Sequence, residues 1–172
     1  MEPLFLDTMT TDSMNEMPPY AWHTVATDLF SWGGSNFLIA ADPYSRFPVI
    51  RRLTSRSSQN VILHLRGIFD EYGVPEIVRS GNRSQYTSSD FQKFGASYDF
   101  QHNTSASHQP QSNAFIERMI ETVKLMFDQA KETNSDSHLA LLAYRSKHID
   151  SNTASPAEMM FGRKIRTNSV ER

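Results

Sequence analysis

No cysteine occurs in the 172 residues, which excludes a disulfide scaffold and any Cys-based zinc finger within the chain. No apolar run approaches the ~18 residues that a membrane span needs. Asp7, Asp12 and Glu16 interrupt the stretch where a signal peptide would carry its basic start and apolar core. Neither sign of charge dominates: 17 Lys and Arg stand against 19 Asp and Glu, a formal net charge of −2. A protein holding nucleic acid by bulk electrostatics alone would be far more basic. What is present, 38% hydrophobic and 21% charged residues, suits one globular domain with short loose ends. An intracellular soluble domain is expected.

Residues 1–19 hold four Met, scattered Thr and Ser and the pair Pro18-Pro19, with no apolar period. They read as an N-terminal arm. Trp22–Phe30 favours a strand, Gly33-Gly34 supplies a two-residue turn, and Phe37–Ala41 returns with the continuous apolar character of a strand buried on both faces. If the glycines form that turn, paired residue numbers sum to 67, so Asp28 faces Ile39 and Asp42 faces Val25. A third strand follows at Phe47–Leu53. Val61, Ile62, Leu65, Ile68, Phe69 and Tyr72 then recur at helical spacing, with Ser57 or Ser58 as cap and Gly73 and Pro75 as stop. Glu76–Ser80 reads as the return strand of a βαβ crossover. A helix from Ser88 or Ser89 to about Ala96 and a brief strand at Tyr98–His102 come next, then a polar loop over Asn103–Asn113. Ile116, Met119, Ile120, Val123, Phe127 and Ala130 mark one face of a long amphipathic helix. Leu139–Tyr144 begins another, and Ser155-Pro156-Ala157-Glu158 opens a last short one. The order predicts an α/β fold, a five-stranded mixed sheet flanked by helices. No internal repeat or low-complexity segment is evident.

Asp28 stands in an otherwise apolar strand, where a carboxylate buried without a partner costs several kcal/mol. It is either a solvent-facing or Arg-paired strand residue, or a functional acid. Glu117 falls in the first turn of the long helix, where the helix dipole favours negative charge whatever else the residue does. Neither identifies a site alone. Their flanks do: Ala26-Thr27-Asp28-Leu29-Phe30, Asp42-Pro43-Tyr44-Ser45-Arg46-Phe47, Tyr72-Gly73-Val74-Pro75-Glu76, Pro110-Gln111-Ser112-Asn113, Glu117-Arg118, Leu142-Ala143-Tyr144-Arg145-Ser146, Ser155-Pro156-Ala157-Glu158 and Phe161-Gly162-Arg163. Together these resemble the catalytic core of retroelement integrases, nearest the gypsy (Ty3) type of long-terminal-repeat retrotransposon. The resemblance covers about residues 20–167, leaving 168–172 as a tail.

The resemblance implies an RNase H-like fold, an ancestral role in DNA integration, and a polynucleotidyl-transfer site of two Asp and one Glu holding two Mg²⁺ or Mn²⁺ ions. Such chemistry builds charge on entering and leaving oxygens, which two ions ~3.5–4 Å apart stabilise, and carboxylates suit these hard cations. By position Asp28 matches the first acid and Glu117 the last, and both are the expected metal ligands. The second acid falls in a motif Ser-Asp-Asn-Gly-x-Gln-Tyr, which here reads Ser80-Gly81-Asn82-Arg83-Ser84-Gln85-Tyr86. The register is secure, with 35 residues between Gly81 and Glu117, so the acid has become Gly81. Asp42, Glu76 and Asp90 sit wrongly to replace it. Arg83, where the family has Gly, places a cation beside the site and opposes metal binding. Weak or single-metal binding and little or no strand transfer are expected. Ala114, where the family has Gly after Asn113, either narrows the mobility of the loop or is a harmless helix start.

For nucleic acid, Lys124 shares a helix stripe with Glu117, and Asn113 and Gln111 lie in the polar loop; each is a candidate DNA contact or a solvated polar residue. Glu121 blunts any basic patch, and Arg118 is expected to support the fold by packing or an ion pair. His102 and His108, without Cys, do not suggest zinc. Trp22, Trp32 and the phenylalanines read as core. Family members carry a Cys/His zinc module upstream and a DNA- or chromatin-binding tail downstream; neither is seen here, so multidomain assembly on DNA ends is expected to lack its usual anchors. The primary expectation is a degenerate integrase core with weak, salt-sensitive DNA binding. The rival readings are a domesticated, non-catalytic interaction module, dimeric through Leu139–Tyr144, and a decaying element copy. Nuclear rather than cytoplasmic residence follows from ancestry alone, since Gly162–Arg166 is too short a basic run to signal import.

Overall fold

The computed structural model describes residues 17–104 and 113–168. Three strands open it: β1 (Thr24–Trp32), β2 (Ser35–Ala41) and β3 (Pro48–Leu53). Gly33 and Gly34 take φ of 58° and 77°, the pair of positive values that a type I′ hairpin requires. The ladder then sets Asp28 opposite Ile39 and Phe30 opposite Phe37, the register the glycine pair predicts. β1 begins two residues later than expected because Trp22 takes a left-handed φ of 67°. That turn buries its indole, whose Nε1 donates to the Gly73 carbonyl at 2.7 Å.

Helix α1 (Ser58–Tyr72) starts at Ser57, whose Oγ accepts from the Asn60 N–H, and stops at Gly73 with φ 99°. Val61, Ile62, Leu65, Ile68 and Phe69 are its buried face, each contributing about 2 kcal/mol of transfer free energy. Strand β4 (Ile77–Ser80) lies parallel to β1. A one-turn helix α2 (Ser84–Thr87), too short to leave a periodic signal, precedes α3 (Ser89–Tyr98). The fifth strand, expected at Tyr98–His102, is β5 (Gln101–Thr104), parallel to β4. It starts late because α3 runs on to Tyr98, where Asp99 adopts the αL conformation and its N–H closes onto the Gly95 carbonyl. Asn103 and Thr104, expected in the polar loop, therefore belong to a strand.

The long helix is α4 (Ala114–Glu132), followed by α5 (Ser137–Ser146) and α6 (Pro156–Phe161). The sheet order is β3-β2-β1-β4-β5, the mixed five-stranded sheet flanked by helices that the element order predicts. Its two faces have separate cores. Val25, Leu29, Leu38, Ala40, Val49 and Val78 pack with α1 and α3, whereas Ala26, Phe30, Ile39 and Ala41 pack with Ile116, Met119, Val123 and Phe127 of α4. Helix α5 buries no residue; a polar anchor ties it to β3 instead. Arg145 donates Nε and Nη2 to the Pro48 carbonyl and lies 4.3 Å from the Phe47 ring centroid.

Candidate active site

Side chains alternate along β1, so Asp28 shares the α4-facing side of the sheet with Ala26 and Phe30. The parallel register pairs Ala26 with Arg79 as its last bonded pair, and β4 ends at Ser80, so Gly81 is the first residue beyond the strand and continues that register in the direction of Asp28. A Cβ built on Gly81 would meet the Asn113 Nδ2 at 3.6 Å, ordinary van der Waals contact. Asn113 is the residue before α4, and Glu117 is exposed in that helix's first turn. Position 81 thus leaves the end of the strand that lies beside β1, with the start of the helix carrying Glu117 against it.

A cation has entered this site. The Arg83 Nε donates to Asp28 Oδ1 at 2.8 Å, an ion pair in which the carboxylate side chain is 20% exposed and the guanidinium 45%. The same oxygen accepts from the Leu29 N–H at 2.8 Å. Of the alternatives open for Asp28, pairing with a nearby Arg is the observed contact. Arg83 is the N-cap of α2, its carbonyl receiving the N–H groups of Tyr86 and Thr87. Tyr86 is buried on the opposite side of the sheet, its hydroxyl 3.0 Å from that of Thr27. Burial drives this phenol far above its ordinary range, so it stays protonated. The loop after β4 therefore straddles β1: Tyr86 fixes it to Thr27 on one face, and Arg83 reaches Asp28 on the other.

The end of β4 has a further brace that spacing does not reveal. Ser80 Oγ donates to the Gly81 carbonyl at 2.9 Å and lies 2.7 Å from His102 Nε2. The hydroxyl thus bridges the Gly81 carbonyl and the His102 ring. Burial lowers the His102 pKa, keeping the ring neutral, and the ring packs 4.7 Å from Phe91. The other missed residue is Arg79, half-buried on the Asp28 side of β4, with its Nε buried and without a hydrogen-bond partner.

The remaining candidates are dispersed. Lys124 is half-buried on α4, one turn beyond the exposed Glu121. Asn113 is half-buried beside Gly81. Gln111 and His108 lie outside the described residues. Arg118, expected to support the fold, is instead exposed and makes no ion pair among the described residues, because the helix turns it away from the α4 core face. The other candidate acids, Asp42, Glu76 and Asp90, are engaged elsewhere. Asp42 is fully buried, its carboxylate receiving the N–H groups of Tyr44 and Ser45 and the Ser45 hydroxyl. Glu76 pairs with His23 at 3.0 Å, and Asp90 accepts from Gln59. Among the described residues no three His, Cys, Asp or Glu are grouped to hold a metal ion. With Asp28 paired to a guanidinium and no such group of ligands around it among the described residues, the donor set does not fit two divalent cations.

Residues 15–110 match the integrase core domain family, a segment that includes positions 28 and 81. An uncharacterized protein of Caenorhabditis elegans is 32% identical over 157 residues, covering 88% of this chain and 12% of that protein. The Gag-Pro-Pol polyprotein of sheep pulmonary adenomatosis virus is 28% identical over 118 residues, covering 68% of this chain and 7% of the polyprotein. The chain thus spans only about a tenth of these curated relatives' length. Among solved structures, the catalytic core domain of BIV integrase superposes with a TM-score of 0.71 at 17% identity, covering 81% of this chain and 94% of that one. A chain of the simian T-cell lymphotropic virus intasome, solved in complex with PP2A regulatory subunit B56 gamma, superposes with a TM-score of 0.75 at 16% identity, covering 91% and 62%. At that identity the structures establish the RNase H-like fold, whereas the sequence match spans more than half of the residues. This chain belongs to the integrase core domain family.

Proposed function

We propose that this protein is a retroelement integrase core, of gypsy-type ancestry, that has lost strand transfer and keeps its fold as a weak DNA-contacting module. The observation that supports the reading is Asp28 paired with Arg83 at 2.8 Å, with Gly81 following directly after β4: the position that would supply the middle acid has no side chain, and the described acids Asp42, Glu76 and Asp90 are engaged elsewhere. Asp28 and Glu117 are the surviving members of the triad, and Lys124, Asn113 and Gln111 are the residues assigned to DNA contact. Losing one of two metal ions removes several kcal/mol of transition-state stabilisation, and each ~1.4 kcal/mol is a tenfold loss of rate.

The test is Mn²⁺-dependent strand transfer and disintegration on DNA ends, comparing the unaltered chain with Gly81→Asp/Arg83→Gly. No turnover is expected from the unaltered chain; robust turnover overturns the reading. A second reading, a non-catalytic homodimeric interaction module, is favoured by α5, where Leu139 is 40% exposed and no residue is buried. Sedimentation separates the two: a strict monomer at micromolar concentration rejects the dimer.

A further inference from the structure

We propose that Arg83 is a built-in replacement for the divalent cation, and that it keeps metal out of the site even when an acid is restored at position 81. This rests on the reading of the chain as an integrase core without its middle acid. Asp28 is only 20% exposed, and a largely buried carboxylate needs a compensating positive charge. In a metal-holding site the ion supplies it. Here the Arg83 guanidinium does, at 2.8 Å.

The guanidinium is also tethered. The Arg83 carbonyl accepts from Tyr86 and Thr87, and Tyr86 is locked beneath the sheet against Thr27. A cation delivered by a short, fixed loop acts at high effective concentration, so a free ion must displace it rather than fill an empty place.

The consequence for Gly81→Asp is opposite to simple repair. The position has no left-handed φ, and among the described residues its Cβ would meet only the Asn113 Nδ2 at 3.6 Å, ordinary van der Waals contact, so the backbone accepts a side chain there. It would bring a second carboxylate beside a planar fork with five N–H donors, giving the guanidinium two partners in place of one. Restoring the acid alone therefore strengthens the internal pair, and the site opens to metal only when the charge at 83 is removed as well.

The experiment is thermal unfolding of the full chain with and without MnCl₂ for the unaltered protein, Gly81→Asp, and Gly81→Asp/Arg83→Gly. Gly81→Asp/Arg83→Gln serves as a second charge-free variant in case glycine at 83 loosens the loop. The expected result is no Mn²⁺ response from the unaltered protein and from Gly81→Asp, with the metal-free Tm of Gly81→Asp equal to or above that of the unaltered protein. A charge-free double variant should gain about 5 °C or more at a hundredfold excess over the dissociation constant, and adding Asp28→Asn should abolish the gain. The proposal falls if Gly81→Asp alone responds as strongly as the double variants, or if neither folded double variant responds. Because the readout is metal binding, this outcome is independent of whether any variant transfers strands.

Discussion

Tyr86→Phe tests how the site loop is held. The Tyr86 hydroxyl lies 3.0 Å from Thr27 Oγ1, and both residues are buried, at 1% exposure each. Phenylalanine keeps the ring packing against Phe91 at 5.3 Å but leaves the threonine hydroxyl in a dry pocket without this partner. A buried polar group stranded in that way costs about 1–3 kcal/mol. For a chain of this size each kcal/mol lowers Tm by roughly 2–4 °C, so a fall of about 2–12 °C is expected. Removing both hydroxyls with Tyr86→Phe/Thr27→Val should recover most of the loss, since a polar pair replaced by apolar groups of the same shape is nearly neutral. Urea denaturation of the four chains, with unchanged m-values, measures the coupling. A neutral single variant, or a double variant whose loss is the sum of the singles, would refute the anchor.

Asp42→Asn should destabilise by about 2–4 kcal/mol, because a single amide oxygen cannot serve the three donors that converge on the carboxylate; urea denaturation reads the change. Acidification acts through His102. Burial lowers its folded-state pKa, so the unfolded chain takes up a proton near the ordinary value of about 6.5 while the folded chain resists. That contribution is complete above about pH 6.5 and is lost as pH falls towards the depressed value, so Tm should decline on going from neutral to mildly acidic buffer. His102→Gln, which keeps a hydrogen-bonding group near Ser80 without a titrating ring, should flatten the decline. His64, lowered by burial and by Arg51, contributes in the same direction and should account for the slope that remains.

The sequence carried the fold where local rules act alone. Gly33-Gly34 specify a turn that few other residues can form, and through it every pairing of β1 with β2. Ser57 and Ser155 announce helices α1 and α6 because their hydroxyls cap the first turn. The boundary of β5 was not legible, since an aspartate entering the αL region at position 99 leaves no pattern. In the site, Gly81 and the oddity of Arg83 could be seen in one motif. That Arg83 takes hold of Asp28 could not, because the two are 55 positions apart and meet only once β4 lies beside β1. The Ser80–His102 brace is hidden for the same reason: it depends on the pairing of β4 with β5.

The ordinary backbone at Gly81, with room for a Cβ, has a bearing on descent. Among the described residues nothing crowds a Cβ there, and some glycine and aspartate codons differ by one nucleotide, so a carboxylate at 81 is close in mutational distance. If Arg83 keeps metal out as proposed, an aspartate at that codon alone gives natural selection nothing to act on while the arginine two positions away stays in place, and recovery of a metal site takes two changes together.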